Sequence, residues 1–418
     1  MEHEITLTTL TYGGDAMGRL EDGRAVFVPF GLPGERVRVR LVQEKKNFAR
    51  GEIVEILESS PDRITAKCKH FFSPLQQGEG AGVRACGGCH YQHLSYDKQL
   101  QAKTEILADQ LKRIGRIENP PVKQMIACTD PWNYRNHVQF SLAIDGKLGF
   151  QMSGSNRVIP ITECHLPEPS INNLWPDLEF EAAINVDRVS LRSGIDDDMM
   201  LVLESETPET PELEIEAGIS ITHLYEENTV VIAGSDHILM RVLGRNFKVS
   251  AASFFQVNTI MAGKMVEHLL AHLPITRSST ILDVYCGVGL FSAFLAPKCK
   301  TLIGIESSEA ACEDFTVNLD EFDNVELYEG HAEDVIPHFG AKPDIVLVDP
   351  PRAGLDKAVS DGILKMSPSL IAYVSCDPST LARDAARLIN GGYKLKEVTP
   401  FDLFPQTYHI ECVSLFER

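Results

Sequence analysis

The chain has 418 residues, too many for one ordinary core, so two or three domains are expected. No apolar run approaches the roughly 20 residues that span a bilayer, and Met1-Glu2-His3-Glu4 is acidic where a signal peptide is basic, so no membrane role is expected and the cytoplasm is the expected location. The formal charge of −20 disfavours nucleic acid, but residues 177–227 hold 15 acidic and two basic side chains, an expected solvated face, and the remainder carries only −7.

Residues 1–60 read as a small all-β unit. Ile5-Thr6-Leu7-Thr8-Thr9-Leu10 largely alternates, Val26-Phe27-Val28 follows a turn at Asp22-Gly23, and Val37-Arg38-Val39-Arg40-Leu41 puts apolar and basic side chains on opposite faces. Short strands between glycine-rich turns predict a compact barrel. Arg36, Arg38, Arg40, Lys45, Lys46 and Arg50 cluster on it. Tyr12-Gly13-Gly14-Asp15-Ala16-Met17-Gly18-Arg19, followed by Val26-Phe27-Val28-Pro29-Phe30 and Pro33-Gly34-Glu35, resembles the TRAM domain, an OB-like RNA-binding module.

Residues 61–250 predict a central α+β domain with a cysteine cluster. Ten cysteines in a reducing compartment point to metal binding or catalysis rather than disulfides. Cys86-Gly87-Gly88-Cys89 is a chelating pair, with Cys68 upstream and Cys164 downstream. Four thiolates bind zinc or an iron–sulfur cluster, and spacing alone does not choose. A helix is predicted over 98–115, and strands at 137–142 and 199–203.

Over 251–418 short branched apolar runs alternate with helical segments, the pattern of an α/β Rossmann-like domain with buried parallel strands. Asp283-Val284-Tyr285-Cys286-Gly287-Val288-Gly289-Leu290 leaves one such run, and its glycines let the backbone turn sharply against a ligand. Glu306 ends the next run, where a carboxylate accepts hydrogen bonds from a ribose diol. The pair resembles the S-adenosylmethionine site of class I methyltransferases, and His331 falls where such enzymes contact the adenine.

Two further strand-to-loop junctions carry chemistry. Asp349-Pro350-Pro351-Arg352 places Arg352 where amine methyltransferases of the Asp-Pro-Pro type have an aromatic platform, which argues against amine methylation. Ser375-Cys376-Asp377-Pro378 sets a thiol between strand and helix, where helix-terminal N–H groups or a cation favour thiolate. Cys128, Cys286, Cys299, Cys312 and Cys412 read as packing residues. In the last strand, His409-Ile410-Glu411, Glu411 projects opposite Ile410 and Cys412.

Taken in order with Phe254-Phe255-Gln256-Val257-Asn258, these segments closely resemble the RNA 5-methyluridine methyltransferase family. The resemblance implies Cys376 as nucleophile and Glu411 as base, with Gln256, Tyr285, Gly287, Glu306, His331 and Asp349 on the cofactor S-adenosylmethionine. The family's glycine loop often carries Asn where this chain has Leu290. The resemblance also chooses a [4Fe-4S] cluster on Cys68, Cys86, Cys89 and Cys164, although residues 73–84 read as an insertion that displaces Cys68. The implied partner is ribosomal or transfer RNA, with ribosomal RNA slightly favoured, and a monomer is expected because a multidomain chain of this size needs no partner to complete a core. Competing readings are a methyltransferase for another nucleobase and a catalytically inactive iron–sulfur RNA-binding protein.

Overall fold

The computed structural model describes residues 2–74, 83–181, 184–211 and 218–418. Most of the expected insertion, residues 75–82, therefore lies outside the described residues.

The N-terminal strands β1 (Glu2–Leu10), β2 (Ala16–Arg19), β3 (Ala25–Val28), β4 (Arg36–Glu44) and β5 (Phe48–Glu58) close into a barrel in the order β1-β2-β3-β5-β4. Ile5, Leu7, Val26, Val28, Val37, Val39 and Ala49 fill it, so the period of two read from the sequence is the inside-outside alternation of the barrel wall. Glu35 is fully buried and takes both its oxygens to Arg63, at 2.5 and 2.8 Å, a two-pronged clamp that ties the barrel to the chain leaving it.

Two short strands, β6 (Ser73–Pro74) and β7 (Val83–Arg84), precede helix α1 (Tyr96–Arg113). Strands β8 (His137–Leu142), β9 (Leu148–Gln151), β10 (Val158–Pro160), β11 (Arg188–Ser193), β12 (Met199–Glu204), β13 (Ser220–Tyr225) and β14 (Asn228–Ala233) form one sheet, with helix α2 (Pro169–Leu174) packed on β11. The acidic stretch is the outer face of this region: among its described carboxylates only Glu204 is half-buried, and the rest are exposed.

A hairpin, β15 (His237–Val242) and β16 (Arg245–Ser250), leads into the C-terminal unit. There α3 (Thr259–His272), β17 (Thr280–Val284), α4 (Leu290–Leu295), β18 (Thr301–Glu306), α5 (Glu309–Asn318), β19 (Val325–Glu329) and α6 (Ala332–Val335) are followed by β20 (Ile345–Val348), α7 (Lys357–Met366), β21 (Leu370–Ser375), α8 (Pro378–Asn390), β22 (Lys394–Phe401) and β23 (Glu411–Glu417). The sheet order is β19-β18-β17-β20-β21-β23-β22, parallel except for β23. All four residues of β20 are buried, as are all six of β21, because helices cover both faces. Each such aliphatic side chain contributes roughly 1.5–3 kcal/mol on burial.

Segments from the central region also pack on the C-terminal unit. Helix α1 lies against α8, and the segment after it pairs with the edge strand β22: the amides of Lys123 and Ile126 donate to the carbonyls of Val398 and Pro400, both at 2.8 Å. An edge strand leaves backbone groups unpaired, and this segment satisfies them. The β15–β16 hairpin is likewise held to α5, where the buried Asp314 accepts from the Ser250 amide and hydroxyl, both at 2.7 Å. Among the described residues no helix is long and apolar enough to cross a membrane.

Candidate active site

The register of the C-terminal sheet aligns the expected site residues along one edge. Val284 of β17 is opposite Ile305 of β18 and Val348 of β20, so Tyr285, Glu306 and Asp349 all stand at strand ends. Val348 is opposite Tyr373, and Ser375 of β21 is opposite Cys412 of the antiparallel β23, which sets Cys376 beside Glu411. Parallel strands end with their carboxyl edge at a common level, so four segments deliver their polar residues to one crevice, and the antiparallel β23 begins at the same edge with Glu411.

At the cofactor end the backbone is held open. Tyr285, Gly287 and Gly289 all have positive φ, 65°, 53° and 89°. A side chain at Gly289 would meet Leu319 at 2.4 Å, whereas nothing lies within 4 Å of a Cβ at Gly287, which faces open space. Glu306 accepts the Gly287 amide at 2.9 Å on one oxygen and the amides of Ser307 and Ser308 at 2.8 and 2.9 Å on the other. Its carboxylate is thereby fixed, with one lone pair left on the oxygen facing Gly287. Behind it, Asp283 is 1 % exposed, accepts from Ser292 Oγ at 2.6 Å and keeps its other oxygen unpartnered. Burial pushes the Asp283 and Asp349 carboxyls each up to about 7. An unpartnered buried oxygen, two carboxyls poised to ionise and an open glycine loop suit a ligand that carries positive charge and N–H or O–H donors, as S-adenosylmethionine does.

His331 is exposed at the start of α6, one residue after Gly330, whose amide donates to the Glu306 carbonyl at 2.7 Å. Gln256 is buried, and its carbonyl accepts from the Asn136 side chain at 3.0 Å. Phe254, two residues before it, is 70 % exposed. Leu290 is buried at the start of α4.

At the other end the thiol environment differs from the expectation for a helix start. Asp377 caps α8, accepting the amides of Ser379 and Thr380 at 2.8 and 3.1 Å. The helix-terminal N–H groups are therefore spent on Asp377 rather than on Cys376. Burial, and after it the carboxylates of Glu411 and Asp349, push the half-buried Cys376 thiol up to about 12, against the pull of Arg352. Arg352, exposed, is thus the cation beside it, and its Nη2 donates to His409 Nδ1 at 3.4 Å. Glu411 is 6 % exposed, not a solvent-facing strand residue. Burial and then Asp349 hold its carboxyl well above the usual range, with Arg352 and Lys103 opposing.

Two supports were not legible as such. Lys103 and Asp402, both 0 % exposed, form an ion pair of 2.6 Å, and Lys103 also donates to the Phe404 carbonyl at 3.0 Å. The signal for Lys103 lay in the helix period: Gln99, Lys103, Ile106, Leu107 and Gln110 share the buried face of α1. Tyr12 of the barrel donates to Asp377 Oδ2 at 2.9 Å, across 365 residues of chain, and its ring meets Tyr408 edge-on. No local pattern announces that contact.

The four expected cluster thiols converge. Cys86 lies within electrostatic reach of Cys164 and Cys68, and Cys89 of Cys164 and Cys86. The amides of His70 and Gly88 point at the sulfurs of Cys68 and Cys86, both at 3.4 Å. Cys128, Cys286, Cys299, Cys312 and Cys412 are all buried.

A family model described as tRNA (Uracil-5-)-methyltransferase matches residues 228–342 and 339–418, and the TRAM domain model matches residues 2–54. A protein of Halalkalibacterium halodurans described as an uncharacterized RNA methyltransferase is 34% identical over 99% of this chain and 96% of its own. One of Streptomyces avermitilis with the same description is 31% identical over 100% of this chain and 98% of its own. The crystal structure of Pyrococcus abyssi tRNA (uracil-54, C5)-methyltransferase with S-adenosyl-L-homocysteine shares the fold over 100% of both chains, with a TM-score of 0.74 at 24% identity. The chain belongs to the S-adenosylmethionine-dependent RNA (uracil-C5)-methyltransferase family, with a TRAM domain at its N-terminus.

Proposed function

We propose that this protein makes 5-methyluridine in ribosomal or transfer RNA through a covalent adduct on Cys376, with Glu411 as the base. The observation that carries the reading is the position of Cys376 and Glu411 one residue beyond the Ser375–Cys412 pair of β21 and β23, in the same buried charge group as Asp349. S-adenosylmethionine supplies the methyl group. C5 of uracil is a weak nucleophile; when the Cys376 sulfur bonds to C6, the electron pair of the C5=C6 bond moves to C5, which takes the methyl group as the bond from that carbon to the sulfonium sulfur breaks and its electron pair stays on sulfur. Glu411 then takes the C5 proton, the double bond reforms and the sulfur–C6 bond breaks. Arg352 is the cation positioned to favour the thiolate. The reacting atoms are hidden in a base stack, so the uridine must be unpaired or flipped out.

RNA carrying 5-fluorouridine tests the mechanism, because fluorine cannot leave as the proton does. A stable protein–RNA adduct with cofactor present is expected, and none in Cys376→Ala. Absence of adduct in the unaltered protein sinks the covalent reading. Digesting RNA from cells with and without the gene, and locating the missing 5-methyluridine, assigns the RNA class.

Gln256, Tyr285, Gly287, Glu306, His331 and Asp349 are proposed as the cofactor's contacts. Asp349, raised to about 7, is neutral in acid, and the ionised form is the better partner for a sulfonium. S-adenosylmethionine affinity is expected to rise by up to about tenfold per pH unit below about 7 and level off above it. S-adenosylhomocysteine, which lacks the sulfonium charge, should respond less. Calorimetric titrations with both ligands check this, and identical pH profiles refute it.

Tyr12→Phe removes the bond that steadies Asp377 next to the nucleophile. A charged-group hydrogen bond of this kind is worth about 1.5 kcal/mol at the low end, so a kcat lower by about tenfold is expected with KM for RNA unchanged. A change confined to KM would instead make Tyr12 an RNA contact.

Cys68, Cys86, Cys89 and Cys164 are proposed as ligands of a [4Fe-4S] cluster that orders the central region. The amides aimed at two of the sulfurs, as at iron–sulfur centres, support that group.

A further inference from the structure

Away from this site, the C-terminal half of α3 faces the edge strand β22 across two imidazoles and a carboxylate. His268 and His272 are one helical turn apart on the same face of α3, and Glu397 comes from β22. Nε2 of His268 lies 3.5 Å and Nε2 of His272 4.0 Å from the same oxygen, Oε1 of Glu397. The three ligand-type atoms are within 4.8 Å of one another, the only such group of three among the described residues.

A plain ion pair explains this poorly. The imidazole centroids are 4.0 Å apart, so protonating both rings would set two cations in contact. The side chain of His268 is 8 % exposed, and its buried Nε2 has no hydrogen-bond partner. A buried nitrogen in that condition is costly and calls for a ligand. His272 is already oriented: its Nδ1 donates to the His268 carbonyl at 2.8 Å, which turns Nε2 toward Glu397. Glu397 is braced as well, with Thr399 Oγ1 donating to Oε1 at 2.8 Å and Lys123 Nζ 3.6 Å from the other oxygen. Phe401 meets the His268 ring edge-on at 5.5 Å and walls one side.

We propose that His268, His272 and Glu397 form a binding site for a divalent transition-metal ion of the zinc class. Imidazole and carboxylate ligands at about 2.0–2.2 Å from a tetrahedral ion stand about 3.4 Å apart, so small rotations bring the observed 3.5 and 4.0 Å to that geometry. Two imidazoles select zinc, cobalt, nickel or copper over magnesium and calcium. The bound ion fastens α3, which begins shortly after Gln256, to the strand that runs into Asp402 and the loop before Glu411.

Full-length protein, stripped with a chelator, is titrated with Co²⁺ while its visible spectrum is recorded. Weak d–d bands without thiolate-to-cobalt charge transfer are the expected signature, since the cysteine set gives that charge transfer and this site does not. His272→Ala and Glu397→Gln are each expected to bind one equivalent fewer. Zn²⁺ should raise the Tm of the unaltered protein more than that of either variant. Equal binding by all three proteins, or cobalt spectra of thiolate ligation alone, overturns the site.

Discussion

Glu411→Gln is expected to halt the reaction after methyl transfer, so that protein and RNA accumulate as a covalent adduct carrying the new methyl group. The carboxylate removes the C5 proton; the amide cannot, and the sulfur–C6 bond then has no path to break. Cys376→Ala is expected to abolish turnover earlier, with no adduct. Loss of a nucleophile in other covalent enzymes costs on the order of 10⁶-fold in kcat, and a comparable fall, to the detection limit, is expected here. Denaturing gels with radiolabelled cofactor separate the two outcomes: labelled adduct in one variant, none in the other. If Glu411→Gln turns over within a few fold of the unaltered enzyme, another group is the base. The acid limb of the unaltered enzyme's rate should also lie well above the range of an ordinary glutamate, because burial and Asp349 raise Glu411.

The second large effect is on stability. Lys103→Met leaves Asp402 buried without its cation, and removing one member of a buried pair costs about 3–5 kcal/mol. Asp402 already has one oxygen without a hydrogen bond, so it has little to fall back on. Chemical denaturation should show the loss in the first transition, with Asp402→Asn in the same chain recovering part of it. A shift under about 1 kcal/mol contradicts the account. The same variant removes a positive charge that opposes the upward push on Glu411, so the acid limb of the rate should move to higher pH. A merely structural role for Lys103 would leave that limb in place.

How the pair is reached says why the sequence revealed some parts and not others. Strands β17, β18, β20 and β21 were legible because a parallel strand buried on both faces is an uninterrupted run of branched apolar residues. The barrel was legible from alternation, and its basic residues are indeed outside: Arg38 and Arg40 meet Glu55 and Glu52 at 2.5 and 2.9 Å across the surface. Residues 96–126 carry the signals of a central segment but pack on the C-terminal unit, because the edge of β22 needs backbone partners that no local signal records.

The sequence by itself determined the chemistry on offer: a thiol and three carboxylates at strand ends, a glycine-opened loop, four further cysteines in a cluster and a TRAM barrel. Each is a short contiguous motif, and a strand-to-loop junction fixes its own backbone. The tertiary structure decided what those groups experience. It buried Glu411, turned the N–H groups of α8 to Asp377 instead of Cys376, and set Lys103 against Asp402 and Tyr12 against Asp377. Those last two contacts join residues 299 and 365 positions apart. Proton affinity depends on burial and on charges a few ångströms away, and these are properties of the folded chain that no local spacing encodes.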